Sequence, residues 1–143
     1  MKPKLYSIIA VLLLTAGAVV SQQPPGPDPI GEAFFPPELV MQHQQAIGIT
    51  EDQKAAFKAE FRSTQTRFTE LQWQLQDEME KLAGLVKGEH VDEQQVLAQL
   101  DKVLAAEREI KRTQLSLVIR IKNRLTPEQQ ARLQKIKSEL RGR

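Results

Sequence analysis

Two apolar stripes of equal length constrain this chain more than any other feature. The first runs through Phe57, Phe61, Thr64, Phe68, Leu71, Leu75, Met79, Leu82 and Val86, and spans 29 residues in eight steps. The second runs through Val96, Leu100, Val103, Glu107, Ile110, Gln114, Leu117, Ile121 and Leu125, again 29 residues in eight steps. A mean step of about 3.6 residues is the period of a straight α-helix and excludes the alternation of a strand. A short turn around Gly88 separates the stripes. Two amphipathic helices of matched length joined this way predict a long antiparallel hairpin.

The helix ends are legible as well. "ITEDQ", residues 49–53, offers Thr50 as an N-cap and Gln53 three positions later as the second half of a capping box. "LTPEQ", residues 125–129, repeats the phrase with Thr126 and Gln129, and adds Pro127 at the first helical position. Asp92 caps the second long helix, with Gln95 to close a box and Val91 and Val96 to form a hydrophobic staple. The first long helix is thus expected from the Thr50 cap to Lys87, stopped by Gly88, about 55 Å long. A short helix from Pro37 to Ile47 precedes it, with Gly48 as its stop and Leu39, Val40, His43, Ala46 and Ile47 on one face. Another, from Pro127 to about Leu140, follows with Leu133, Ile136 and Leu140 on one side. The expected fold is all-α: four helices, the long hairpin flanked by a short helix before and after.

Such a hairpin is a two-helix layer and buries little by itself. "LSLVIRI", residues 115–121, is apolar nearly all round, because Leu115 and Ile119 point roughly opposite to Leu117 and Ile121. It needs two partners, which makes a homodimer the expected assembly. Trp73 projects about 200° from the apolar stripe, among Thr66, Thr69, Asp77 and Glu80. A tryptophan on a polar face suggests a contact surface. The alternative is that Phe34 and Phe35, or the first short helix, fold over it.

Residues 1–21 carry a basic start and a short apolar run, Leu5 to Val20, followed by small residues. This is the pattern of a cleavable signal peptide for export, with cleavage after Ala18 or Ser21. The run falls short of the ~20 apolar residues of a spanning helix. Residues 22–36 are rich in proline and read as an extended arm rather than a helix, with Phe34 and Phe35 packing its end onto the helical domain, 37–141.

The chain has no cysteine, which removes disulfides and thiolate metal sites. Its two histidines, His43 and His90, belong to no nucleophile motif, and no glycine-rich phosphate loop is present. The chain does not read as an enzyme. Charge is strongly polarised. Residues 22–107 carry 7 Lys+Arg against 15 Asp+Glu, and residues 108–143 carry 11 against 3. The basic third could bind an anionic polymer. Export, and the lack of aromatics among the basic residues, argue against nucleic acid and for two halves that face each other.

The paired motifs Ile49-Thr50-Glu51-Asp52-Gln53 and Leu125-Thr126-Pro127-Glu128-Gln129, behind an export signal and around a helical hairpin, resemble the LTxxQ motifs of the Spy/CpxP family. Its superfamily includes the ZraP- and CnrX-like heavy-metal resistance proteins, and the resemblance covers about Pro36 to Lys137. It implies a four-helix fold dimerising into a curved cradle. Its members act as ATP-independent periplasmic chaperones of unfolded envelope proteins, as inhibitory partners of membrane stress sensors, or as metal-binding sensors. The last group uses histidines of the first helix, a carboxylate, and His and Met ligands late in the third helix. Here the first helix offers His43, Glu107 is the candidate carboxylate, and the late positions appear as Leu117 and Ile121, which cannot ligate. No tightly held cofactor is implied. Weak binding of zinc, nickel or copper through His43 remains open, and the chaperone or stress-modulator role is the first expectation.

Overall fold

The computed structural model describes residues 29–142. The signal-peptide and cleavage-site expectations, and residues 22–28 of the arm, lie outside the described residues. The chain divides into two units, Met1–Ala33 and Phe34–Arg143. The described part of the first is α1, Pro29–Ala33, a five-residue helix with no buried residue. The arm was expected to be extended there. Pro29 sits at the first helical position, where a missing N–H removes no intrahelical bond, so proline does not forbid this short turn.

The second unit contains α2 (Pro37–Gln42), α3 (Glu51–Leu85), α4 (Glu93–Arg124) and α5 (Pro127–Arg141). Every element among the described residues is helical. With 35 and 32 residues, α3 and α4 are each about 50 Å long and pack against each other as the expected hairpin. The helix boundaries differ in detail. α2 is labelled only to Gln42, but helical bonding continues through the turn, with the Ile47 N–H donating to the His43 carbonyl at 3.1 Å. It closes on a Schellman motif: Gly48 N–H to Gln45 O at 3.2 Å and Ile49 N–H to Gln44 O at 3.0 Å, with Gly48 at φ +72°. α3 ends at Leu85 rather than Lys87, and Gly88 is not in the left-handed region, so it is not the stop. Gly84 in the last turn already weakens the helix there.

The repeated phrase does more than cap two helices. Thr50 Oγ1 accepts from Gln53 N–H at 3.2 Å, and Gln53 Oε1 accepts from Thr50 N–H at 3.0 Å. Thr126 and Gln129 repeat this box at 3.2 and 2.9 Å. The two glutamine amides then bond each other, Gln53 Nε2 to Gln129 Oε1 at 2.8 Å and Gln129 Nε2 to Gln53 Oε1 at 2.9 Å. Each Nε2 also donates to the carbonyl two residues before the other motif's threonine: Gln53 to Arg124 O at 2.7 Å, Gln129 to Gly48 O at 2.9 Å. An amide offers two donors and two acceptor sites, and both glutamines use all four. At Asp92 only the first half of a box forms, Gln95 N–H to Asp92 Oδ1 at 3.1 Å. Val91 is about half exposed, so a staple with Val96 would bury little.

The core gathers at this end of the hairpin. Phe35, Leu39, Val40, Ile47, Phe57, Ile121, Leu125 and Leu133 form one cluster. Phe35 is therefore a core residue rather than a contact surface. Lys122 lies 5.5 Å from the centre of the Phe34 ring. Lys137, buried on α5, donates to the Phe34 carbonyl at 2.9 Å and sits 6.0 Å from the Phe35 ring centre. Leu140, expected beside Leu133, is exposed because the inward line of α5 passes through Lys137 instead.

Toward the turn the hairpin is only two helices thick. Leu71, Val103 and Ala106 are buried there, while Met79 and Val86 of the expected stripe are exposed. The inner line of α4 also differs. It passes through Gln99, Val103, Ala106, Ile110, Thr113, Leu117 and Ile121, leaving Glu107 and Gln114 exposed. Small Ala106 and Thr113 let the helices approach, whereas an inward Glu107 would have to be desolvated without a partner. Buried Gln99 is the polar exception. Its Nε2 donates to the Glu78 carbonyl at 2.9 Å and the Glu78 carboxylate at 2.6 Å. That bond, and Lys81 at 2.9 Å, hold the Glu78 carboxyl below its ordinary range. Nearer the core, Glu60 bridges Arg120 at 3.1 Å and Arg124 at 3.2 Å. The Arg120 hydrogen bond, aided by Arg124 and opposed by partial desolvation, holds its carboxyl below 4.5.

Replacing Gln129 by alanine should lower unfolding stability by about 3 kcal/mol in urea titrations, because it unpairs Gly48 O, Thr126 N–H and the Gln53 amide together. The Gln53→Ala/Gln129→Ala double variant should lose clearly less than the two singles summed. Additive losses would show that the amides do not act as a unit. For Glu60, a folded-state value below the unfolded one stabilises above the unfolded value and is lost as pH falls through the folded one. The stability gap between wild type and Glu60→Gln should therefore be widest near about pH 6 and close toward about pH 3. A pH-independent gap would mean the ion pairs do not contribute.

Candidate functional site

α4 presents two opposite faces. Gln99, Val103, Ala106, Leu117 and Ile121 turn toward the rest of the unit. About 180° away, at 100° per residue, lie Leu97, Leu104, Leu115 and Ile119 on one line. These four are 50, 49, 44 and 39% exposed, so the line is an apolar stripe that no described residue covers. Arg108 and Lys111 fall on the same line and divide it into two apolar stretches. Leu115 and Ile119 were expected to point outward; Leu97 and Leu104 were missed. Their seven-residue spacing was the available signal, hidden because neither falls on the longer 3.6-period stripe.

A second apolar feature is a groove of about 600 Å³ where α2 meets the hairpin. Its lining includes Met41 of α2, Phe61 and Phe68 of α3, and Leu117 and Val118 of α4. Glu38, Gln65 and Gln114, all exposed, also border it. Phe61 also stacks against Phe57, ring centres 6.5 Å apart, which ties the groove wall to the core.

The residues singled out from sequence are widely distributed. Thr50, Gln53, Thr126 and Gln129 come together in the interlocked caps. Trp73 is 62% exposed on α3, and Phe34 and Phe35, engaged with Lys122 and Lys137, do not cover it. His43 is the half-buried C-cap of α2, and Glu107 is exposed on α4. Among the described residues, no three His, Cys, Asp or Glu side chains gather in a group able to hold a metal ion. His43 and Glu107 therefore belong to no such group. Among the described residues no helix is long and apolar enough to cross a membrane.

No curated protein and no solved structure matches this chain. A family model described as heavy-metal resistance matches residues 7–132, nearly the whole sequence. With that match over a helical hairpin flanked by short helices, the chain belongs to the heavy-metal resistance family, within the Spy/CpxP-like helical superfamily.

Proposed function

We propose that this protein is an exported, non-enzymatic helical protein of the Spy/CpxP type, acting as an ATP-independent chaperone of unfolded envelope proteins or as a modulator of envelope stress signalling. The observation that carries the reading is the uncovered stripe of α4, Leu97, Leu104, Leu115 and Ile119, interrupted by Arg108 and Lys111. Apolar side chains bind exposed apolar segments of a client, and interspersed charge keeps the association reversible and the free protein soluble. The groove beside Met41 and Phe68 offers a second apolar surface of the same kind. A homodimer is part of the proposal, since a two-helix layer leaves one of its apolar faces for a second copy. Export rests on the sequence of residues 1–21, and the periplasm as destination on the resemblance to the Spy/CpxP family.

The second reading, a periplasmic sensor or buffer of zinc, nickel or copper, is favoured by the family's description. His43 and Glu107 are its candidate ligands, and the dispersal of acidic and imidazole groups weighs against tight binding.

Purified protein should suppress the aggregation of reduced, unfolded lactalbumin in light scattering without ATP. Leu104→Gln and Leu115→Gln, both at exposed helix positions where glutamine is a good helix former, should reduce that protection several-fold without changing helix content. Full protection with a loss of dimer in sedimentation would show that the stripe is the interface between copies and not the client surface. Trp73, the chain's single tryptophan, reports on metal. A saturable fluorescence response to zinc, nickel or copper that His43→Ala abolishes would reverse the order of the two readings.

A further inference from the structure

On the side of the α3–α4 seam away from the apolar groove, the packed line is interrupted by a notch of about 320 Å³. Arg67 of α3 and Arg112 and Arg120 of α4 line it. Four hydroxyls complete its polar lining, Ser63 and Thr64 from α3 and Thr113 and Ser116 from α4, with Leu117 as the one apolar side chain. No carboxylate is among the lining residues.

The hydroxyls behave differently from others in the same helices. Thr66 and Thr69 turn back on their own helix, donating to the Arg62 and Gln65 carbonyls at 3.1 and 2.9 Å. Among the described residues, none of the four notch hydroxyls makes such a bond. They remain available to a molecule in the notch. The arginines are similarly underused. Arg67 meets Glu70 at 3.4 Å, Arg112 meets Glu109 at 3.7 Å and Arg120 meets Glu60 at 3.1 Å, each through one guanidinium nitrogen. A guanidinium has five N–H donors, so most remain for a ligand. The surroundings are basic. Residues 60–70 and 108–124 together hold eight Lys+Arg and three Asp+Glu.

We propose that this notch binds a phosphate-type tetrahedral oxyanion, with Arg67, Arg112 and Arg120 as its charged donors and the hydroxyls of the seam as its neutral ones. All three cations are arginine, whose planar fork bonds two oxygens of an oxyanion at once, whereas lysine acts as a point charge. Hydroxyls supply shorter-range donors, and three lining arginines with no lining carboxylate favour an anion over a cation. The position has a mechanical consequence. An anion drawing on both α3 and α4 clamps the hairpin midway between the capped core and the two-helix tip.

The test is calorimetric titration of the whole protein with inorganic phosphate, with sedimentation on vesicles containing phosphatidate as a second arm. Saturable phosphate binding should weaken about tenfold or more in Arg67→Gln and in Arg112→Gln, and measurably in Ser116→Ala. Lys102→Gln, an exposed cation on the same helix outside the notch, should bind like wild type. Phosphate should also raise the thermal midpoint of wild type, with that rise absent in Arg112→Gln. Vesicle binding lost in the same variants, without a response to free phosphate, would support the same chemistry with the phosphate carried on a lipid. No binding in either arm overturns the proposal, as does equal weakening by Lys102→Gln.

Discussion

The reciprocal pair formed by Gln53 and Gln129 is the contact on which the second unit depends. Each side chain first closes its own capping box, which fixes the amide in space, and then spends its remaining donors on the other motif. Because the bonds reach Gly48 O and Arg124 O, the same two residues join the end of the α2 segment to the end of α4. Four chain segments therefore meet at one polar knot. Gln129 is buried, and an unpaired amide there would cost about 1–3 kcal/mol, so the arrangement has to be complete to be favourable.

The apolar core follows from that knot. Phe57, Ile121, Leu125 and Leu133 are drawn together because the starts of α3 and α5 and the end of α4 are held at one place. Away from it the hairpin relies on two helices alone, pinned by polar bonds across the seam. Glu60 with Arg120 and Arg124, and Glu78 with Gln99, set the antiparallel register at two levels. The polarised charge finds a local use here, as Glu60 of the acidic part meets arginines of the basic part. It is only a partial match. Many charges of both regions point to solvent, where ion pairs contribute little.

A hairpin built this way leaves surface unused by its own fold. A helix in a two-helix layer packs one face, and α4 carries apolar residues on the other. That leaves Leu97, Leu104, Leu115 and Ile119 for something else to cover. The heavy-metal resistance family to which the chain belongs is consistent with a non-enzymatic role, and the dispersed histidines and carboxylates make a binding surface easier to argue than a metal centre.

The order of the four helices of the second unit and the hairpin were legible in the sequence because they depend on local rules. A 3.6 period, threonine caps with glutamine three residues on, and Gly48 at a helix end all act within a few residues. The same local rules could not say which of Ala106 or Glu107 turns inward, since both fit the period to within one residue. The facing helix decided that, through the space it left and the cost of burying a carboxylate. Nor could they show that Gln53 and Gln129, 76 residues apart, complete each other's hydrogen bonding. The sequence by itself determined where helices begin and what kind of residue each presents. The tertiary structure decided which polar groups meet across the fold, because a buried amide is satisfied only by partners that distant segments bring to it.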